Sequence, residues 1–240
     1  MVKIKVWKSV AVLIITVVIS ATAVFAVFLY TKSISESRKD PNNNAPIDNL
    51  PNKSVTIKFD QIVFLGDSIT QGYFTYDKLS IHQTIFKKGM SADGMFSQKL
   101  NYLDGEGNLE DILNKYPPKI LYIGFGMNDL RKTPEEFYTI YKENIKKIIE
   151  ICPKAKIALV SITPINTDYS TNENIDSFNK KIKSIADEIG KTKCKYLDVN
   201  SLLKDSSGKL DSRYDSGDGM HLGSEGYDVL IEFYKKNLQW

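Results

Sequence analysis

The chain has 240 residues, of which 42% are hydrophobic and 25% are charged, and 32 basic against 29 acidic side chains give a formal net charge of +3. This length supports one globular domain plus an appendage. Nucleic-acid-binding proteins carry clustered basic residues, and this nearly balanced charge indicates no such partner. Two cysteines and two histidines are too few for the usual zinc sites, so we expect no metal. We also expect no cofactor.

The first 31 residues predict a membrane anchor. No residue from Ser9 to Thr31 is charged, and a helix of this length spans roughly 30 Å, the thickness of the hydrocarbon core of a bilayer. Residues 1–8 contain three lysines and are predicted to be a short cytoplasmic tail. A cleaved signal peptide is the alternative, since residues 21–23 have the small-residue pattern of a cleavage site. The single-pass anchor 9–31 would place the rest of the chain at the cell membrane, outside the cytoplasm.

Beyond the anchor, composition divides the chain into a linker and a domain. Residues 32–58 contain prolines, asparagines and serines without an apolar period, which predicts a flexible linker. From residue 59 to residue 240, short apolar runs alternate with helical periods. The apolar runs predict strands at 61–66, 82–88, 119–125, 156–162 and 195–199.

The helical periods lie between and after these strands. One helix begins at Thr133, where Pro134 fits the first helical position and Glu136 completes a capping box. A second ends at Gly190, and the last has Ser224 as its predicted cap. This alternation predicts a mainly parallel five-stranded sheet with helices on both faces, that is, a three-layer α/β/α sandwich. Ligands of such sheets bind outside the carboxyl ends of the strands.

The stretch "FLGDSITQG" (64–72) places Ser68 just after the first predicted strand. Glycine and serine after an apolar run are most often a plain turn. A nucleophilic role for Ser68 therefore requires a base, an orienting acid and an oxyanion site elsewhere in the chain.

Three later stretches contain those groups. His221, in "DGMHLGSEGY" from 218, is a candidate base, and Asp218 three residues earlier could accept its second ring N–H. Asn128, in "GFGMNDL", could donate an amide N–H to an oxyanion, and Gly89 could offer its backbone N–H after the second strand. His82 has no acid nearby and is not expected to take part.

These stretches, "GDSIT", the isolated Gly89, "GMND" and "DGMH", resemble in their order the four blocks of the SGNH hydrolase, or GDSL esterase/lipase, superfamily. The resemblance covers residues 59 to 238 and implies a flavodoxin-like three-layer fold. The second block departs from many relatives, because Lys87 occupies an asparagine position and Ala92 a glycine position. Gly94 is therefore a rival placement for Gly89.

The resemblance also implies a role for each matching residue. Ser68 would be the nucleophile, His221 the base and Asp218 its orienting acid. The backbone N–H groups of Ser68 and Gly89 would form the oxyanion hole with the Asn128 side chain. The implied activity is that of a serine carboxylic ester hydrolase, which passes through an acyl-enzyme on Ser68.

The predicted address favours O-acetyl or other short acyl groups on envelope or extracellular glycans as substrates. Three alternatives stay open: an O-acetyltransferase with the same triad, a lysophospholipase-like lipid esterase, and a non-catalytic glycan-binding module. The last is disfavoured because all five functional positions are filled.

Four further residues have more modest predicted roles. Asp67 and Asp129 flank the candidate catalytic residues and are expected to shape turns through side-chain to backbone bonds. Cys152 and Cys194 precede the fourth and fifth predicted strands. Two buried thiols are the favoured interpretation, and a disulfide is the alternative in an oxidising location.

Overall fold

The computed structural model describes residues 59–103, 105–237, 239 and 240. The predicted tail (1–8), anchor (9–31) and linker (32–58) lie outside these residues. Within the described part of the chain, no helix combines the length and the apolar character needed to cross a membrane.

A seven-stranded sheet forms the centre of the domain. Its strands are β1 (Ile62–Gly66), β2 (Thr84–Phe86), β3 (Lys99–Tyr102), β4 (Gly105–Asn108), β5 (Ile120–Gly124), β6 (Lys156–Val160) and β7 (Cys194–Leu197). They lie in the order β4-β3-β2-β1-β5-β6-β7. Five neighbouring strands of the sheet are parallel, in the order β2-β1-β5-β6-β7. Strand β3 pairs with β2, and β4 with β3, in antiparallel orientation.

The predicted number of five strands is therefore wrong, although the parallel part of the sheet consists of the five predicted strands. The sequences of β3 and β4, "KLNY" and "GEGN", lack an apolar run, and Leu100 is their one buried residue. These strands pair as an edge extension that needs few buried side chains, so the hydrophobic pattern gave no sign of them.

Within the described residues, six α-helices accompany the sheet. They are α1 (Ser68–Thr75), α2 (Leu109–Lys115), α3 (Pro134–Ile151), α4 (Asn172–Ile189), α5 (Asn200–Leu203) and α6 (Ser224–Lys236). Alternate residues of the strands pack on opposite faces. Leu121 and Ile157 belong to a core that includes residues of α2, α3 and α4, whereas Tyr122 and Ala158 belong to a second core with residues of α1 and α6. The α/β sandwich is thus confirmed, with helices on both sides of the sheet.

Local capping signals predicted the helix ends to within one residue. Thr133 caps α3 by accepting from the Glu136 backbone N–H, while Glu136 accepts from the Thr133 backbone N–H at 2.8 Å, as the capping box requires. Gly190, with φ of +93°, terminates α4. The cap of α6 is Gly223, and the predicted cap Ser224 is its first helical residue.

The pairing of β1 with β5 sets the geometry of the carboxyl edge. Gly66 lies opposite Gly124 at the ends of these strands. A Cβ atom on Gly66 would lie 2.5 Å from the Gly124 carbonyl oxygen and 2.2 Å from the Thr70 hydroxyl, so this position requires glycine. The chain can therefore turn directly from β1 into α1, which brings Ser68 to the edge where the segment after β5 also emerges.

The two cysteines are buried free thiols, as the favoured interpretation predicted.

Candidate active site

Ser68 is the first residue of α1 and is half-buried. Its Oγ atom lies 3.0 Å from Nε2 of His221, which belongs to the loop before α6. This contact joins residues 153 positions apart in the chain. A serine hydroxyl and an imidazole at this distance have the geometry of a nucleophile and its general base.

Asp218 contacts the other side of the same imidazole. Its Oδ2 atom lies 2.6 Å from His221 Nδ1, and its Oδ1 atom accepts from the backbone N–H groups of Met220 and His221. Partial burial raises the pKa of Asp218, but the hydrogen bonds from His221 and Met220 outweigh it and hold that pKa at about 2. Because an ionised carboxylate only accepts, Nδ1 carries the proton and Nε2 of the neutral ring is free to accept from Ser68.

Asp215 shapes the loop that carries Asp218 and His221. Its Oδ1 atom accepts from the backbone N–H groups of Gly217 and Gly219 at 2.8 and 2.9 Å. The backbone of Ser216 closes the loop by donating to the His221 carbonyl. Sequence reasoning missed this residue, although an aspartate two positions before a glycine is the pattern of an Asx turn.

Backbone donors for an oxyanion are present at two of the predicted positions. Among the described residues, neither the Ser68 N–H at the start of α1 nor the Gly89 N–H has a protein acceptor. The rival Gly94 donates its N–H to the Ser91 carbonyl at 3.0 Å. Gly89 is also exposed and has φ of +73°, so its N–H is open to a ligand. This comparison favours Gly89 over Gly94 as the second donor.

The Asn128 side-chain amide already donates to two protein acceptors. It lies in the short 3-10 turn Met127–Asp129 after β5. Its Nδ2 atom lies 3.0 Å from Asp67 Oδ2 and 3.1 Å from the Met90 carbonyl oxygen. Both acceptors adjoin the other candidate donors, because Asp67 precedes Ser68 and Met90 follows Gly89.

Asp67 and Asp129 are both buried and bonded to backbone, as expected of turn-shaping residues. Asp67 Oδ1 caps α1 by accepting from the Ile69 N–H at 2.9 Å. Burial raises the pKa of Asp67 to about 6, against the hydrogen bonds from Ile69 and Asn128, which lower it. Asp129 accepts from the Ala92 N–H and from Lys132 Nζ, both at 2.9 Å. Burial also raises the pKa of Asp129.

Two further predictions concern His82 and a metal site. His82 is exposed in the 3-10 turn Ile81–Gln83, on the segment before β2. In the part of the chain that the structure describes, no cluster of three or more His, Cys, Asp or Glu side chains could hold a metal ion.

Comparisons with solved structures support the same fold. A structure from Streptococcus pneumonia, described as that of a platelet activating factor, is 23% identical with a TM-score of 0.60. The match covers 77% of this chain and 86% of that one. A family 3 carbohydrate esterase from Clostridium thermocellum is 20% identical with a TM-score of 0.53, covering 73% of this chain and 92% of that one. At these identities the likeness concerns the fold alone.

Comparisons of sequence add a curated relative and a family. A multidomain esterase from Ruminococcus flavefaciens is 23% identical over 137 residues, which are 54% of this chain and only 16% of that protein. The model of the GDSL-like lipase/acylhydrolase family matches residues 64–229, a range that begins in the middle of β1 and includes Ser68, Asn128, Asp218 and His221. Because this match spans well over half of the chain, the protein belongs to the GDSL-like lipase/acylhydrolase family.

Proposed function

We propose that this protein is a serine carboxylic ester hydrolase whose acyl-enzyme forms on Ser68. One observation carries the proposal: the continuous contact from Ser68 Oγ through the His221 ring to the Asp218 carboxylate, at 3.0 and 2.6 Å. A serine, an imidazole and a carboxylate in this order perform acyl transfer on several unrelated folds.

Each member of the contact has a distinct chemical role. Ser68 Oγ attacks the acyl carbonyl while His221 Nε2 takes its proton, and Asp218 stabilises the imidazolium that results. His221 then returns the proton to the leaving alcohol. A water molecule, deprotonated by the same imidazole, releases the carboxylic acid and restores Ser68.

The developing oxyanion is stabilised by donors at the carboxyl edge of the sheet. The Ser68 N–H points from the first turn of α1, where helical N–H groups lack intrahelical acceptors and the helix dipole favours negative charge. The Gly89 N–H and the Asn128 amide complete the predicted oxyanion hole.

The proposed substrates are O-acetyl or other short acyl groups on envelope or extracellular glycans. One observation and one prediction support this choice. The fold is shared with a carbohydrate esterase from Clostridium thermocellum, and the uncharged segment 9–31 would tether the domain at the outer side of the cell membrane.

The nucleophile is tested by labelling with a serine-directed fluorophosphonate. We expect wild type and Ser97→Ala to be labelled and Ser68→Ala to remain unlabelled; Ser97 is the matched control because it is an exposed serine outside the triad. Turnover of p-nitrophenyl acetate should fall by on the order of 10³-fold or more in Ser68→Ala. Equal labelling of wild type and Ser68→Ala would refute the assignment.

The substrate class is tested with a panel of esters of increasing acyl length together with acetylated oligosaccharides. The proposal predicts the highest kcat/KM on acetyl esters and release of free acetate from the oligosaccharides. Preference for long acyl chains would instead favour a lipid esterase. Transfer of acetyl to an added glycan in place of water would favour an O-acetyltransferase.

A further inference from the structure

Asp67 and Asn128 form a buried hydrogen bond between two loops that come from different strands. Asp67 follows β1, Asn128 follows β5, and the two residues lie 61 positions apart in the chain. The Asp67 side chain is 2% exposed and accepts hydrogen bonds on both oxygens, Oδ1 from the Ile69 N–H and Oδ2 from Asn128 Nδ2. Its orientation is therefore fixed by the start of α1.

A carboxylate at this position determines which end of the Asn128 amide faces the site. An ionised carboxylate accepts hydrogen bonds and donates none, and so does the Met90 carbonyl on the other side. The amide group between them must therefore present its NH2 and not its oxygen. A turned amide would direct a carbonyl oxygen at two acceptors and, in the reaction, at the oxyanion.

The two contacts of Asn128 Nδ2 differ in strength. The bond to Asp67 is charge-assisted and about twice as strong as a neutral bond of the same kind. The bond to the Met90 carbonyl, at 3.1 Å, is neutral. The N–H that faces Met90 is thus the one that an oxyanion can share, while the bond to Asp67 is kept.

We propose that Asp67 is a positioning residue for the hydrolysis: its carboxylate holds the Asn128 amide with the NH2 group directed to the oxyanion site. The inference rests on the proposed ester hydrolase function. It assigns Asp67 a role beyond capping α1, and it makes that role dependent on the presence of Asn128.

A double-mutant cycle tests this dependence on the full-length chain, with p-nitrophenyl acetate as the substrate. Asp67→Asn keeps a capping acceptor for Ile69 but turns an NH2 group toward Asn128, so we expect kcat to fall 10- to 100-fold with KM changed less than threefold. Asn128→Ala should lower kcat by about 10²- to 10³-fold. In the Asn128→Ala background, Asp67→Asn should then change kcat by less than threefold.

If Asp67→Asn lowered kcat equally in the wild-type and Asn128→Ala backgrounds, the proposal would be overturned, because a purely structural effect of Asp67 does not require Asn128. The control is Thr171→Ala, which removes the cap of a different helix, α4, and should show no coupling with Asn128→Ala. If Asp67→Asn fails to fold, Asp67→Ser serves instead, since serine caps a helix but is too short to replace the bond to Asn128. Circular dichroism confirms folding of every variant.

The pH profile gives a readout that a capping role alone would not change. Burial raises the pKa of Asp67 to about 6, and a protonated Asp67 can donate, so it resembles the amide of the Asp67→Asn variant in allowing Asn128 to turn. The ratio of wild-type to Asp67→Asn kcat should therefore decrease from pH 8 to pH 5. The ionisable groups that face Asp67 are His221, Asp129, Tyr141 of α3 and Tyr227 of α6.

The Asn128→Ala background separates these contributions. An effect transmitted through His221 persists without Asn128, whereas the proposed effect disappears, so the ratio should then stay near 1 at every pH. Ser68→Ala distinguishes failure of the proposed function from failure of the positioning role. If Ser68→Ala retains wild-type turnover, the proposed function fails. If Ser68→Ala is inactive but Asp67→Asn acts equally in both backgrounds, only the positioning role fails.

Discussion

At the residue scale, the buried carboxylate of Asp67 opposes folding at neutral pH. Burial raises the pKa of Asp67 from 3.8 to about 6, so the folded chain holds a proton at pH values where the unfolded chain has lost it. Because the folded-state pKa is the higher one, stability is lost as the pH rises from about 4 to about 6. The shift corresponds to about 3 kcal/mol of unfolding free energy. A group kept at this cost at a candidate active site is typical of functional residues.

The change in unfolding free energy caused by Asp67→Asn should therefore be more favourable at pH 7 than at pH 4, by about 3 kcal/mol as an upper limit. The measurement is the unfolding free energy in urea at both pH values, for the full-length chain in a mild detergent. Asp205→Asn is the control of opposite sign, because hydrogen bonds from Ser207 and the Lys209 N–H lower the pKa of Asp205. A variant difference at residue 67 that is equal at both pH values would contradict the prediction.

At the element scale, α3 is specified almost entirely by its own sequence. Thr133, Pro134 and Glu136 define its start, and the buried residues Phe137, Tyr141, Ile145 and Ile148 recur at helical spacing. Each of these signals acts between residues at most four positions apart. The helix could therefore be predicted from the sequence without knowledge of the fold.

Thr133→Ala should lower the unfolding free energy by about 1 kcal/mol, because it removes the hydroxyl that accepts from the Glu136 N–H. Thr139→Ala, at an exposed position inside the same helix, should be neutral or slightly stabilising, since alanine has the higher helix propensity. Urea unfolding of the two variants measures the difference, and equal effects would exclude a specific role for the cap.

Helix α1, in contrast to α3, is only weakly specified by its own sequence. Its sequence begins "SITQG", in which glycine and serine favour a turn, and its eight residues have only a weak apolar period. The structure forms a helix here because Asp67 caps it and because it packs against the sheet and α6. Short helices depend on such tertiary packing more than on propensity.

At the scale of the whole molecule, the docking of α1 against α6 sets the distance from Ser68 to His221. The Tyr227 hydroxyl of α6 donates to the Ile69 carbonyl of α1 at 3.0 Å. A Cβ atom on Gly72 would lie 1.7 Å from that hydroxyl, so the two helices approach through the space that a side chain would fill. Ser68 begins α1 and His221 lies three residues before the start of α6, so this contact helps to set the distance between the two side chains.

Gly72→Ala should therefore separate the two helices. We expect a destabilisation of about 1–3 kcal/mol from overpacking and a decrease in kcat on the order of tenfold to hundredfold from the displaced nucleophile. Thr75→Ala, exposed on the same helix, should leave kcat within about twofold. Thermal unfolding and ester turnover check both effects; wild-type kcat in Gly72→Ala would show that the helix spacing does not set the triad geometry.

The amino-acid sequence alone predicted the five parallel strands and the cap of α3, which depend on periodicity or on spacing within a few residues. Its four blocks with Ser68, Gly89, Asn128 and the Asp218–His221 pair were assigned candidate roles through their resemblance to a family. Only the tertiary structure decided that β3 and β4 extend the sheet, that Asp215 shapes the loop of His221, and that Asp67 binds Asn128, 61 positions away in the chain. The physical reason is that a hydrogen bond between distant residues depends on strand register: Gly66 must lie beside Gly124 before Asp67 can reach Asn128.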